Sequence, residues 1–285
     1  MRKTECRARA FVMGSLLWAG LLSGVACGSV QACEKKGIAL AAEPYLRPAD
    51  LLRTMNAHWY YDWTPRPMKD SGDVAFVPML SGAKTRLASD LQSLAARREP
   101  VLLGFNEPDL RGDAQMTADE AAALWPQLVN DADRLGSPAA SARHPEWLEQ
   151  FMTQIDRRKL KVDFVAIHYY GPPDARAFLR IVDDAHAKYH RPVWITEFAV
   201  LNAQWQTAPD LYSPQDVLRF MQTVVPELKR RPYVERFAWW GFGKAAPEAL
   251  RASRFFEDDG SLTKLGHYYA KFESQATGKL CGESR

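Results

Sequence analysis

Cysteine and histidine are scarce in this sequence, and neither sign of charge is in large excess. The 285 residues hold only four cysteines and six histidines. Cys6 and Cys27 fall within the first 32 residues, which leaves Cys33 and Cys281, too far apart in sequence for a CxxC site. The histidines never form an HxH or HExxH pair, and Asp62, Asp70, Asp73 and Asp109 lack metal-ligand spacing, so no metal site is expected. A glycine-rich phosphate loop and a GxSxG elbow are also missing, which argues against nucleotide chemistry and elbow-type serine hydrolysis. The 37 basic residues barely outnumber the 34 acidic ones. Four of the basic and one of the acidic residues lie in residues 1–32, so the remainder carries 33 of each and is formally neutral. Such a chain has no basic excess to draw nucleic acid or anionic lipid, and it suits a neutral substrate.

The first 32 residues read as a signal peptide. Arg2, Lys3, Arg7 and Arg9 precede an apolar stretch, and Val30-Gln31-Ala32 supplies a small-residue cleavage site. The strongly apolar part, Phe11 to Ala26, is about 16 residues, short of the ~20 that a membrane anchor needs. Export, secreted or periplasmic, is therefore expected, with no integral membrane segment in the mature chain and a monomeric product. In an oxidising compartment Cys33 and Cys281 are expected to form a disulfide, contributing about 4–5 kcal/mol in the chain-entropy model. The alternative is acylation of Cys33 or Cys27, against which Gln31 and Gly24 are poor lipobox residues.

What remains, residues 33–285, has an ordinary globular balance and alternates short apolar runs with amphipathic segments, the pattern of a parallel α/β sheet. Eight strands are expected: Gly37 to Leu40, Ala57 to Trp63, Ala75 to Leu80, Val101 to Phe105, a weak Ser137 to Ser141, Val162 to Tyr169, Val193 to Phe198 and Arg236 to Trp240. Thr117-Ala118-Asp119-Glu120 is a capping box, with Gly136 after the helix it opens; Ser213-Pro214 and Asp174 start two more helices. Thr64 to Asp73 has Pro65, Pro67 and Gly72 and no helical period, so a loop replaces the helix after strand two. Eight βα units in one domain of this length point to a (β/α)8 TIM barrel, whose active site lies at the strand C-terminal ends.

Those ends carry a particular set. Strand four delivers Asn106 and Glu107 after Gly104-Phe105, and strand seven delivers Glu197. Around them stand Trp59, Tyr61 and Trp63 from strand two, His168 and Tyr170 from strand six, and Trp239 from strand eight. Tyr169 and Tyr170 alternate across their strand, so Tyr170 accompanies His168. Flat rings suit the apolar faces of pyranoses, and amides suit their hydroxyl groups. Two carboxylates about 5–5.5 Å apart suit glycosidic cleavage, one protonated to donate and the other ionised to attack. Taken singly, Glu107 could cap the following helix, Glu197 could pair with an arginine, and His168 and the aromatics could be core.

Three segments give a more specific signal: Gly104-Phe105-Asn106-Glu107-Pro108-Asp109, Asp163 to Gly171, and Pro192 to Phe198. With Trp59 to Trp63, Phe76-Val77-Pro78-Met79 and Leu124-Trp125-Pro126, the sequence resembles glycoside hydrolase family 128 over nearly all of residues 33–285. The resemblance implies a clan A barrel, retaining cleavage of β-1,3-glucan and no cofactor. It gives Glu107 the acid/base role, Glu197 that of nucleophile, and Asn106 a contact to the sugar 2-hydroxyl. Two departures stand out: Leu80-Ser81-Gly82 where the family often has tryptophan before the glycine, and Asp62 where asparagine is expected. A glycan-binding protein without turnover and a glucan-remodelling transglycosylase are the alternatives.

Overall fold

The computed structural model describes residues 35–41, 46–95, 97–112, 114–141, 144–240, 243 and 246–272. The leader, Cys33 and Cys281, and with them the disulfide and the acylated alternative, lie outside the described residues.

Among the described residues eight strands form: β1 Lys36–Ala39, β2 Trp59–Tyr61, β3 Ala75–Phe76, β4 Glu99–Leu102, β5 Ala132–Leu135, β6 Val165–Gly171, β7 Val193–Val200 and β8 Val234–Trp239. Seven α-helices accompany them among the same described residues: α1 Pro48–Thr54, α2 Leu87–Ala95, α3 Ala118–Leu124, α4 Pro145–Arg158, α5 Ala175–Tyr189, α6 Pro214–Arg230 and α7 Lys264–Lys271. The strands pair in parallel in two sheets, ordered β3-β2-β1-β8-β7-β6 and β4-β5. Isolated parallel bridges link Met79 to Leu103, Asn106 to Ala139, Gly136 to Phe164 and Ala140 to Ile167.

Caps expected from the sequence open the helices. Thr117 and Glu120 form a reciprocal capping box, Ser213 and Asp216 form another with Pro214 as first helical residue, and Asp174 accepts from the Ala177 N–H. Residues 64–73 contain no helix, as expected.

Two strands differ from expectation because of proline. β3 stops at Phe76, since Pro78 has no N–H for the ladder. Strand five lies at Ala132–Leu135 rather than Ser137 to Ser141, where Pro138 leaves only single bridges. Charged Asp133 and Arg134 hide that strand in the sequence; they pair with Arg98 and Glu235. Gly136 therefore follows β5, and α3 ends earlier, in a 3-10 turn containing Pro126.

The core has two parts. Alternate strand residues Trp59, Tyr61, Val77, Met79, Phe164, Trp194 and Ala238 pack with one another on one face. Their neighbours, including Tyr60, Val165, Ile195 and Trp239, pack beneath the helices. Gly104 lies at a close approach, as the sequence suggested: a Cβ there would come 2.8 Å from the Trp125 ring and 2.9 Å from the Gly136 carbonyl oxygen.

Two successive lysines before and in β1 tie the helix C-termini to the sheet. Lys35 Nζ donates to the carbonyls of Lys229 and Arg231, both at 3.0 Å. Lys36, fully buried, donates to Tyr269 at 3.0 Å, Ala270 at 3.4 Å and Phe272 at 3.2 Å. A cation here answers both the open carbonyls and the negative end of the helix dipole.

Burial, with Lys36 nearby, lowers the pKa of His58 from 6.5 to about 4. The unfolded chain then binds a proton that the folded one refuses, so stability is lost as pH falls from 6.5 to about 4. Urea midpoints at pH 7 and pH 4.5 check this: wild type should lose more than His58→Gln, and equal losses would contradict the assignment.

Candidate active site

Glu197 lies on β7, yet ordinary alternation would turn it away from the sheet face that Trp194 occupies. A bulge corrects this. Against β6, Ile167 pairs with Ile195 while the next residue, His168, pairs with Glu197, so Thr196 is the extra residue. Pairing with β8 slips over the same Ile195 to Phe198 span. Bulges re-aim side chains in this way.

The carboxylate so turned is 4% exposed as a residue and accepts three hydrogen bonds. Tyr61 Oη donates to Oε1 at 2.6 Å and Trp63 Nε1 to the same oxygen at 2.8 Å. Tyr170 Oη donates to Oε2. Burial, and then the charge of Glu197, push both tyrosine hydroxyls well above pKa 10, so they stay protonated donors.

Glu107 arrives by another route. Its N–H donates to the Ala139 carbonyl at 2.9 Å, just past β4, and its φ is 39°, a left-handed conformation that a non-glycine residue adopts at a cost of about 1 kcal/mol or more. Trp63 shares this feature, with φ 58°. Asp109 secures the loop: Oδ1 accepts from the Ser141 N–H at 2.9 Å and Oδ2 from the Ser141 hydroxyl.

His168 stands between the two acids. Nδ1 is 3.0 Å from Glu107 Oε1, and Nε2 is 3.5 Å from Glu197 Oε1. Burial disfavours a charged ring here, but Glu197 and Glu107 outweigh it, and the pKa of His168 stands above 6.5. One donor atom from each of Glu107, His168 and Glu197 lies within 4.8 Å of the others, a set that could hold a cation. Its fit to a metal is poor. The Glu197 oxygens already receive three O–H or N–H donors and His168 Nδ1 is engaged with Glu107, which leaves few lone pairs for a cation.

The structure brings together Glu107, Glu197, His168, Tyr170, Tyr61 and Trp63, with Asn106 beside Glu107. It does not bring Trp59 or Trp239. Trp59 is 1% exposed, donates to the Lys35 carbonyl and packs on Trp194, while Arg236 lies over both rings. Trp239 is fully buried, donates to the Ser253 carbonyl and packs edge-on against Phe198. Neither can stack on a sugar. Trp240, one residue on, takes the place expected of Trp239, edge-on to Tyr170 at 6.2 Å. Strand alternation, applied to β8 as it was to Tyr169 and Tyr170, would have found it. Asp62 is buried and accepts from the Thr64 N–H and hydroxyl. It folds its own turn, and burial raises its pKa.

Residues 42–269 match the model of the glycosyl hydrolase catalytic core. A family 128 subgroup I endo-β-1,3-glucanase from Amycolatopsis mediterranei, solved with laminaripentaose, is 31% identical; the match covers 83% of this chain and 98% of that one at TM-score 0.70. The chain belongs to glycoside hydrolase family 128. A family 128 subgroup VII oligosaccharide-binding protein from Trichoderma gamsii is 25% identical, with 85% and 95% covered and TM-score 0.67. Alkali-sensitive linkage protein 1 of Schizosaccharomyces pombe is 29% identical over 248 residues, 82% of this chain. The match takes in 44% of that curated relative, so the chain spans less than half its length. Among the described residues of this family 128 chain, no helix is long and apolar enough to cross a membrane.

The negative charge of Glu197 is the largest of the influences that favour the protonated His168 ring over the cost of burial, so its neutralisation lowers the histidine pKa. In an NMR titration of the ring, wild-type His168 should titrate above 6.5 and Glu197→Gln should shift it downward. An unchanged midpoint would contradict the coupling.

Proposed function

We propose that this chain is an exported retaining glycoside hydrolase acting on β-1,3-glucan, built on a closed (β/α)8 barrel. The sheet order, together with the bridges from Met79 to Leu103 and from Gly136 to Phe164, supports closure: each strand region then meets its two sequence neighbours around a ring. The observation that carries the chemistry is the pair of acids. Carboxylate oxygens of Glu107 and Glu197 lie within 4.8 Å, in keeping with the short separation of retaining enzymes rather than the ~6.5–9.5 Å that leaves room for water in inverting ones.

In this reading the Glu197 carboxylate, oriented by three donors, attacks the anomeric carbon while Glu107 protonates the departing glycosidic oxygen. A glycosyl ester forms on Glu197 and the leaving sugar departs. Water then attacks the same carbon, Glu107 takes its proton, and the ester bond breaks to restore Glu197. His168 links the two acids, and Trp240 and Trp63 offer rings beside the cut. No metal or organic cofactor is required. The endo-β-1,3-glucanase named among the similar structures supports the substrate class.

The oligosaccharide-binding relative supports a second reading, a barrel that holds glycan without cutting it. Reducing-end release from laminarin separates the two: new ends support the hydrolase, and tight binding without new ends supports the binder. Longer products from short oligosaccharides would mark a transglycosylase instead. With turnover in hand, Glu197→Ala should abolish it, and Glu107→Ala should lower it about 10²–10⁴-fold. Retained activity in folded Glu197→Ala protein would remove Glu197 from the mechanism.

A further inference from the structure

Beside Glu107 lies a cavity of about 310 Å³ lined in part by Trp63, Ser81, Arg86, Asn106, Glu107 and Arg111. That is within the size of small-ligand sites. Its character is set by a tight turn. Gly82 has φ 82°, and a Cβ there would come 2.6 Å from Met116 Cε and 2.9 Å from the Phe105 ring. The turn holds Ser81, which is 5% exposed, at the cavity wall.

Ser81 in turn helps fix an arginine. Arg86 Nη2 donates to Ser81 Oγ at 3.0 Å and to the Trp63 carbonyl at 2.6 Å, and Nε is 3.5 Å from Asp90 Oδ2. Both N–H groups of Nη2 are thus spent, and the charge is answered by a carboxylate whose side chain is 10% exposed. The planar guanidinium is locked in orientation and electrically balanced, which suits a neutral ligand more than an anion. On the same wall Asn106 Oδ1 is buried without a hydrogen-bond partner. The N–H groups left on Arg86 Nη1 and an unsatisfied acceptor on one cavity match hydroxyl groups, which accept and donate together. An anion would meet Glu107 and the Asn106 oxygen unfavourably.

We propose that this cavity is a sugar subsite which reads the hydroxyl groups of one glucosyl unit through Arg86, in place of stacking it on a ring. The proposal rests on the β-1,3-glucan reading above. Calorimetry in a Glu197→Gln background, which does not turn over, tests it with laminarihexaose as probe. Arg86→Met should weaken binding about tenfold or more, the scale of a hydrogen bond from a charged group. Arg86→Lys, which keeps the charge but not the fork, should recover only part of that loss. With Glu197 intact, Arg86→Met should raise KM for laminarin. An unchanged affinity in Arg86→Met overturns the subsite, as does a fall in kcat with KM held, which would assign Arg86 to supporting the Trp63 backbone. If laminarihexaose fails to bind while Arg86 is present, the β-1,3-glucan reading falls and takes this inference with it.

Discussion

An ionised carboxylate buried among aromatic rings is tolerable only if other groups replace the water it has lost. Glu197 meets that condition through three donors, two of them hydroxyl groups that its own charge helps keep protonated. They come from separate parts of the chain: Tyr61 on β2, Trp63 just past it, and Tyr170 on β6. The site is therefore assembled only when those strands are in register. Charge-assisted bonds of this kind are about twice as strong as neutral ones, so the interaction that prepares the carboxylate also discriminates against misregistered sheets.

The surrounding framework makes that register dependable. Alternate residues pack on one face of the strands while Lys35 and Lys36 draw the ends of α6 and α7 onto β1. Against this rigid background the chain keeps its irregularities at the cleft: the Thr196 bulge, the left-handed backbone of Trp63 and Glu107, and the clasp of Asp109 on Ser141. Each orients a side chain that regular structure would aim elsewhere. Strain of this sort persists only where neighbours over-determine it.

The acids were legible in the sequence because each stands alone at the end of an apolar run, where a bystander carboxylate would be costly. Tyr61, Trp63 and His168 were marked by their place at strand ends, and Tyr170 followed from alternation beside His168. Trp59 and Trp239 were misread because tryptophan is equally at home in a core, and their neighbours rather than their identity decide the matter. The bulge at Thr196 left no trace in composition, since threonine in a strand is ordinary; only pairing with β6 and β8 reveals it. Likewise Ala132–Leu135 looks too polar for a strand until Asp133 and Arg134 are seen to meet partners across the fold. Long-range pairing is the part of the fold that local pattern does not encode.

The account turns on Glu197 being the group that bonds to the sugar. A 2-deoxy-2-fluoro glucoside with a good leaving group, built on a β-1,3-linked disaccharide, slows breakdown of the glycosyl ester enough to isolate it. Mass spectrometry of the digested protein should find the sugar on the peptide carrying Glu197, with a stoichiometry of one. An adduct on a different carboxylate, or wild-type enzyme that cleaves laminarin with inversion at the anomeric carbon, would contradict it.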